Sequence, residues 1–444
     1  MIYRSQEEIA LVKLKEKIMD KSAKIGIVGL GYIGLPLAVA FGEAGFKVLG
    51  VDKQQKRVDA VKQGQSYIGD VSNERLQAVL ANNRLQTTTE QSKLGETDAI
   101  CICVPTPLTK TKDPDLSYII NESKEIAKYL RRGQLIVLES TTYPGTTRHV
   151  VLPILESSKL RDGVDFYLAY SPERVDPGSK KHSIRNTPKI VSGMTSQSTE
   201  MVKLLYSQIA ETVVAVSCPE VAEMTKIFEN IFRSVNIALV NELAQLCQNM
   251  GISVWQVIDA ASTKTFGYMP FYPGPGVGGH CIPLDPYYLA SKARELDFHT
   301  RFIELAAEIN ENMPSHVVSR IMEALNTRGK SLNGAKVLVL GVAYKKDMED
   351  IRESPSLKLV QLLSDRGAKV SYNDPYMPKI QLSHCSLTSV ALTKGNLSAA
   401  DCVVIATDHS CYNMDEVTAY SKLVFDTRGV TKGLMGDNIV RLGE

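Results

Sequence analysis

The chain has 444 residues, 44% of them hydrophobic and 23% charged, the make-up of an ordinary globular protein of about two or three domains. Lys and Arg number 51 against 49 Asp and Glu, a net charge of +2, which gives no reason to expect nucleic acid or an anionic membrane as partner. The eight cysteines (101, 103, 218, 247, 281, 385, 402, 411) show neither a disulfide framework nor metal-ligand spacing, and no apolar run reaches spanning length, so no metal, no membrane and a reducing cytoplasmic setting are expected.

The opening stretch SQEEIALVKLKEKIMDK is charged throughout and reads as an amphipathic helix, not a signal peptide. KIGIVGLGYIGLPLAVAFGEAGFKVLGVDK follows, and its pattern predicts a strand at 25–28, a tight turn, a helix over about 31–44 and a strand at 47–51. The turn carries Gly29-x-Gly31-x-x-Gly34, and Asp52 stands at the end of the second strand. The spacing alone is weak, but between a strand and a helix, with an acid after the next strand, it has the full context of a dinucleotide fingerprint. Gly29 makes the turn, Gly31 lets a pyrophosphate approach the backbone, and Gly34 lets helix and strand pack. Asp52 would accept from the adenosine ribose 2'-hydroxyl and repel a 2'-phosphate, so NAD is expected over NADP. Arg57 stands where it would either accommodate such a phosphate or lie on the adenine.

Buried-strand runs then recur between helical patterns. One at 99–104 ends in Pro105-Thr106-Pro107, one at 135–138 ends in ESTTYPG (139–145), and one at 166–170 ends in Ser171-Pro172-Glu173-Arg174. Alternation of this kind implies a parallel sheet covered on both faces, with ligands beyond the carboxyl ends of the strands. Thr106, Ser140, Thr141, Thr142 and Glu173 stand at such ends, although Ser and Thr hydroxyls there also serve turns. A helical pattern over 219–250 is long enough for a spine between domains, and its Lys226 and Asn230 share a face one turn apart. A polar pair on an apolar helix needs partners if it is buried. Asn236 and Asn241 carry less information.

The stretch FYPGPGVGGHCIPLDPYYL (271–289) delivers Cys281 from a turn rich in glycine (Gly274, Gly276, Gly278, Gly279) just before a helix-like segment. A thiol so placed is a candidate nucleophile, one helical turn from Asp285; the alternative is a packing cysteine. Helices are expected through 297 and over about 300–327. At 336 the strand–helix–strand layout starts again without the glycine fingerprint. Tyr344, Lys345, Lys346 and Arg352 stand in its place, a basic loop suited to a phosphate, or a solvated stretch of mixed charge. Further strands at 402–406 and 423–425 precede Asp426-Thr427-Arg428-Gly429. The fold class expected is α/β, two doubly wound Rossmann-like domains joined by a long central helix.

GLGYIG, ESTTYPGTT, SPERVDPG, Lys226-x-x-x-Asn230, GPGVGGHCIPLDP and GVAYKKDMEDIRESPS occur in the order found in the UDP-glucose/GDP-mannose dehydrogenase family, which the chain resembles over almost its whole length. The version GGHCIPLDPYYL is most similar to UDP-N-acetylglucosamine 6-dehydrogenases of surface-polysaccharide synthesis, such as that of lipopolysaccharide O-antigen. UDP-glucose members more often have Ser and Lys where this chain has His280 and Leu284. The resemblance implies a helical extension at 1–23, an NAD-binding domain at 24–217, a central helical dimerisation domain with the cysteine loop at 218–328, and a UDP-sugar-binding domain at 329–444. It implies four-electron oxidation of the sugar C6 alcohol to the acid with two NAD, through a Cys281 thiohemiacetal and thioester, and assembly as a homodimer or higher homo-oligomer.

The same resemblance assigns roles. Lys226 and Asn230 would stabilise charge on the C6 oxygen, Asp285 would orient a water or take a proton, and Glu173 and Thr141 would position the hydrolytic water. Gly29, Leu30, Gly31, Tyr32, Ile33, Gly34, Asp52, Arg57, Pro105, Thr106, Ser140, Thr142 and Arg352 would contact NAD. Glu173, Arg174, Val175, Lys226, Asn230, Tyr272, Pro273, Gly276, Gly278, Tyr344, Lys345 and Arg428 would contact the UDP-sugar. UDP-N-acetylmannosamine and UDP-glucose are the alternative substrates. A one-step hydroxyacid dehydrogenase is a remoter reading, which leaves Cys281 and the second sheet unexplained, and so is a non-enzymatic NAD-binding regulator, in which Cys281, Lys226, Asn230, Asp285 and Glu173 would not be expected all in place.

Overall fold

A computed structural model describes residues 6–109, 111–175, 178, 181–279 and 282–444. The chain divides into two units, 1–229 with 287–297, and 230–286 with 298–444. In chain order the first runs α1 (Gln6–Met19), β1 (Lys24–Val28), α2 (Gly34–Glu43), β2 (Lys47–Val51), α3 (Gln55–Lys62), α4 (Asn73–Ala81), β3 (Leu85–Thr88), β4 (Ala99–Ile102), α5 (Ser117–Tyr129), β5 (Leu135–Leu138), α6 (Leu152–Glu156), β6 (Tyr167–Tyr170), β7 (Lys189–Gly193), α7 (Ser196–Tyr206) and β8 (Val213–Ala215). These strands form one sheet in the order β3-β2-β1-β4-β5-β6-β7-β8, whose first six positions are those of a Rossmann fold, with the order reversing between β1 and β4.

The strands are aliphatic throughout because both faces are covered. Ile25, Ile27 and Cys101 enter one core with α2 and α7, while Val28, Ile100 and Ile102 enter the other with α5. Helix α1 adds Leu14 and Ile18 to the first core, and its Lys17 reaches Asp98 at 2.8 Å. The sheet departs from the expected all-parallel arrangement at one place. β7 runs antiparallel to β6, pairing Ala169 with Gly193. No crossover helix stands among the described residues of the connecting loop, and a parallel pair needs one. Helix α2 starts at Gly34, three residues later than expected, because 29–33 are spent on the turn.

Helix α8 (Pro219–Met250) covers the full expected stretch, and the boundary between units falls inside it. The remaining elements are α9 (Val254–Ala261), α10 (Asp285–Arg294), α11 (Arg301–Asn326), β9 (Lys336–Leu340), α12 (Pro355–Asp365), β10 (Lys369–Asn373), β11 (Lys379–Gln381), β12 (Ser386–Thr388), α13 (Lys394–Ala399), β13 (Cys402–Ile405), α14 (Met414–Tyr420), β14 (Val424–Asp426) and β15 (Ile439–Arg441). The second unit holds a parallel sheet in the order β10-β9-β13-β14-β15. Val337 and Val339 face a core with α11 and α12, and Leu338 and Leu340 face a smaller one with α13 and α14. The fold is therefore mixed α/β with a Rossmann-like sheet at each end of the chain and a long central helix. Among the described residues no helix is long and apolar enough to cross a membrane, and no group of three metal-ligating side chains is present.

Candidate active site

The glycine turn of the first unit is built so that only glycine fits at two of its positions. Gly29 has φ +90°, and a Cβ there would stand 2.8 Å from the Cys103 carbonyl oxygen. A Cβ on Gly34 would stand 1.8 Å from the Gly29 carbonyl oxygen. Gly31 differs: no atom lies within 4 Å of where its Cβ would be, so the backbone there is open to an incoming group. The first turn of α2 contains no acidic residue, and its N-cap, Ile33, offers no side-chain hydrogen bond. The orphan amides of the helix start are thus left to an anion, and these residues fit a dinucleotide pyrophosphate.

Asp52 is buried at the end of β2, where its carboxylate accepts from the Leu30 and Gln54 amides, each at 2.8 Å, tying it to the turn. Arg57 lies 3.3 Å from the same carboxylate, and its guanidinium sits 6.0 Å from the Tyr67 ring centroid. Tyr67 in turn donates to the Leu30 carbonyl. Replacing Asp52 by Asn keeps an acceptor for the turn but removes the charge. Asp52→Asn is expected to lower the preference for NAD over NADP about tenfold or more, measured as the ratio of kcat/KM values. An unchanged ratio would take Asp52 away from the ribose.

At the strand ends the hydroxyls have local work. Ser140 donates to the Val104 carbonyl at 2.7 Å, and Thr142, fully buried, bonds Thr146 and the Tyr143 carbonyl. Thr106 is buried and its carbonyl accepts from Tyr288 at 2.5 Å, whereas Pro105 is exposed and Thr141 half-buried. Glu173 accepts from the Arg174 and Val175 amides at 2.7 Å and from Lys189 at 3.2 Å. Burial works to raise its pKa, but Lys189 and those amides overcome it and hold the carboxyl below its ordinary value. Arg174 is itself paired to Glu229 of α8 at 2.5 Å.

On α8, Glu223 is fully buried and accepts from the Gly145 amide at 2.6 Å and the Thr147 amide and hydroxyl at 2.9 and 2.7 Å, anchoring the loop that carries Thr141. Burial pushes its carboxyl up to about 7, although those hydrogen bonds pull the other way. Because the folded value lies above the ordinary one, its favourable contribution is complete at low pH and fades as pH rises from about 4.5 to about 7. Glu223→Gln is expected to flatten that part of the stability curve by up to about 3 kcal/mol. Urea unfolding at pH 5 and pH 7.5 checks this, and an equal pH slope in both proteins would refute it.

One turn further along α8, Lys226 is 8% exposed, and among the described residues no acceptor lies within bonding distance of its ammonium. A buried ammonium without a partner is costly, so this one is suited to an oxygen brought by a ligand. Asn230 shares its helix face and is fully buried. Its amide donates to Asp285 at 2.5 Å and its carbonyl accepts from Arg233. Cys281 and His280 lie outside the described residues. The helical turn expected from 281 to Asp285 begins outside the described residues; 282–284 form a turn that leads into α10 at Asp285. Pro283 disfavours helix before it, while Pro286 suits a first helical turn.

Within the second unit the glycine loop is held by residues that sequence reasoning passed over. Asn241 accepts from the Gly274 amide at 3.0 Å and donates to Asn310 at 2.9 Å, which donates to the Ser234 carbonyl at 3.0 Å. Periodicity alone shows Asn241 as one more polar residue on α8; its burial is the missing signal. A Cβ on Gly278 would strike the Tyr344 Cβ at 2.6 Å, and one on Gly274 the Arg428 guanidinium at 2.9 Å, so Gly278 lies against Tyr344 and Gly274 against Arg428. Pro273 is buried beside them in sequence, and Gly276 (φ +127°) packs against the Asn310 carbonyl and Pro355. Tyr272 stacks on Trp255 at 6.2 Å, with the Lys432 ammonium 5.7 Å from both rings. Lys345 is half-buried, and Arg352 forms a forked pair with Asp350.

A carboxylate also follows β10 in the second sheet. Asp374 stands where Asp52 stands in the first sheet, but one oxygen accepts from both the Val342 and Ala343 amides and meets His409 at 3.1 Å. Its other oxygen takes the Tyr376 and Met377 amides. That carboxylate is consumed in shaping the loop.

Three models of one known family match the chain. The NAD binding domain of the UDP-glucose/GDP-mannose dehydrogenase family matches residues 23–210, its central domain 220–312 and its UDP binding domain 338–433. The chain belongs to this family. Relatives include a UDP-N-acetyl-D-glucosamine 6-dehydrogenase of Pseudomonas aeruginosa, 38% identical over 88% of this chain and 91% of that protein. A UDP-N-acetyl-D-mannosamine dehydrogenase of Methanococcus maripaludis is 35% identical over 92% of this chain and 93% of that protein. Among solved structures, a UDP-D-ManNAc dehydrogenase of Pyrococcus horikoshii superposes with a TM-score of 0.87 at 34% identity, covering 95% of this chain and 99% of that one. This family member is accordingly a nucleotide-sugar dehydrogenase that uses NAD. Its α1 precedes the family match.

Proposed function

We propose that the chain oxidises the C6 alcohol of a UDP-N-acetylhexosamine, first of all UDP-N-acetylglucosamine, to the uronic acid in two NAD-dependent steps. The observation that carries this is Lys226, a buried ammonium with no acceptor among the described residues, one turn from an asparagine bonded to Asp285. An ammonium so placed stabilises negative charge on the C6 oxygen, and Asn230 donates beside it. Bound NAD supplies the hydride acceptor. Cys281 captures the aldehyde as a thiohemiacetal, which makes it a hydride donor again, and the resulting thioester is hydrolysed. Asp285 orients a water or takes a proton, and Thr141 and Glu173 position the water that releases the acid.

UDP is held by the domain that ends the chain, and the residues assigned to the nucleotide sugar are Tyr272, Pro273, Gly276, Gly278, Tyr344, Lys345 and Arg428, with Arg174 and Val175. Ser140 and Thr142 meet NAD through the backbone, since their hydroxyls are engaged, and Thr106 and Arg352 contact it as well. A second reading, UDP-N-acetylmannosamine, is favoured by the names of two of the three relatives above. One epimeric centre is decided by a few pocket contacts. A homodimer is proposed from Val221, Met224, Phe228, Phe232, Leu239, Leu246 and Met250, which leave an exposed apolar stripe along α8. The setting proposed is the cytoplasm, and the product a surface-polysaccharide precursor.

The test is kcat/KM for UDP-N-acetylglucosamine, UDP-N-acetylmannosamine, UDP-N-acetylgalactosamine and UDP-glucose with saturating NAD. The reading expects the first to lead by tenfold or more. A lead by the second would reassign the sugar, and turnover of UDP-glucose alone would overturn the hexosamine.

A further inference from the structure

Behind Glu173 lies a buried ion cluster that the reaction as described does not use. Lys189 opens β7 with its side chain 4% exposed, and its ammonium reaches Glu139 at 2.9 Å and Glu173 at 3.2 Å. Glu139 follows β5 and is fully buried; its second oxygen accepts from the Tyr206 hydroxyl of α7. The Tyr206 ring centroid stands 5.1 Å from the Lys189 ammonium, and the hydroxyl lies 3.6 Å from the Cys101 sulfur. Glu173 is the one member of the cluster open to solvent, at 14%. Its Oε1 takes two backbone amides and its Oε2 takes Lys189.

We propose that Lys189 is a positioning residue for the hydrolytic step, acting through Glu173: it keeps Glu173 a carboxylate in one fixed orientation, so that Glu173 aligns the water without accepting its proton. This rests on the two-step reading above. One ammonium between two buried carboxylates leaves one negative charge in a dry site, which favours protonation of one of the two. The wholly enclosed carboxyl is the one raised: burial takes Glu139 up to about 7 against the pull of Lys189, while Glu173 stays below its ordinary value. A carboxylate carrying two amides and an ammonium is a poor base and a good fixed acceptor. In hydrolysis the water oxygen bonds to the acyl carbon and the carbon–sulfur bond breaks with its electron pair on sulfur. One water proton passes to that sulfur and the other to solvent. Glu173 is ionised before and after. Glu139 and Tyr206 hold the far side of Lys189, so that the ammonium stays between the two acids.

The test compares Lys189→Met, Lys189→Arg and the double variant Glu139→Gln/Lys189→Met, which removes both buried charges together and so guards against simple misfolding. With the best UDP-sugar and saturating NAD, stopped-flow absorbance of the methionine variants is expected to show a burst of two NADH per active site. A steady rate 10- to 100-fold below wild type should follow, with KM for sugar and NAD unchanged and most of the rate restored by arginine. An unchanged kcat in the double variant, a loss confined to KM, or a slow rate with no burst would each overturn the proposal. Two NADH per sugar from wild type with an unaffected double variant removes this inference alone. One NADH per sugar from wild type removes the two-step reading and this inference with it.

Discussion

Gly34→Ala is expected to abolish measurable dinucleotide binding and to destabilise the first unit. The new methyl group would stand 1.8 Å from the Gly29 carbonyl oxygen and 3.2 Å from the Cys103 Cβ. The nearest of these atoms is backbone, so no flexible side chain can yield. The turn must open, and Gly29 is already held at φ +90° against the Cys103 carbonyl. Forcing atoms into a packed turn costs about 1–3 kcal/mol, and the displaced amides no longer point at a pyrophosphate. Gly31→Ala is the matched control. Its methyl group meets nothing within 4 Å, so thermal stability should match wild type while NAD affinity falls about tenfold or more as the methyl takes the ligand's space. Calorimetric titration with NAD and thermal unfolding of both variants decide the matter. Unimpaired NAD binding by Gly34→Ala would contradict the assignment of this turn.

Cys281→Ser is expected to lower acid formation by about a thousandfold or more while NAD binding survives. A serine hydroxyl does not capture and hold the aldehyde as a thiolate does, so the second oxidation loses its substrate. The variant should still fold, because one oxygen replaces one sulfur, and its NAD titration should be that of wild type. Product analysis by mass spectrometry checks it. Uronic acid formed at near the wild-type rate would remove the thiol from the mechanism.

The elements that sequence displays most clearly are those whose register is set locally. The strands Lys47–Val51 and Leu135–Leu138 and the helix Pro219–Met250 lie where hydrophobic pattern and flanking breakers place them. The fingerprint glycines are legible from their spacing between a strand and a helix, although Gly29 and Gly34 also abut Cys103, far away in sequence. What was not legible depends on contacts between residues separated in sequence. Lys189 meets Glu139 across 50 residues and Glu173 across 16, and nothing near KIVSG marks it as the partner of two acids. Glu223 and Asn241 look like ordinary polar positions on α8 until their burial is known. The hydroxyls of Ser140 and Thr142 stand at strand ends as a ligand contact requires, yet they bond the backbone around them, a distinction that spacing does not make.

The most direct measurement of the central claim is the number of NADH formed per molecule of UDP-N-acetylglucosamine consumed, with the sugar limiting and NAD in excess. The account predicts two NADH per sugar, with a UDP-uronic acid as product. One NADH per sugar, with an aldehyde or ketone as product, would contradict it.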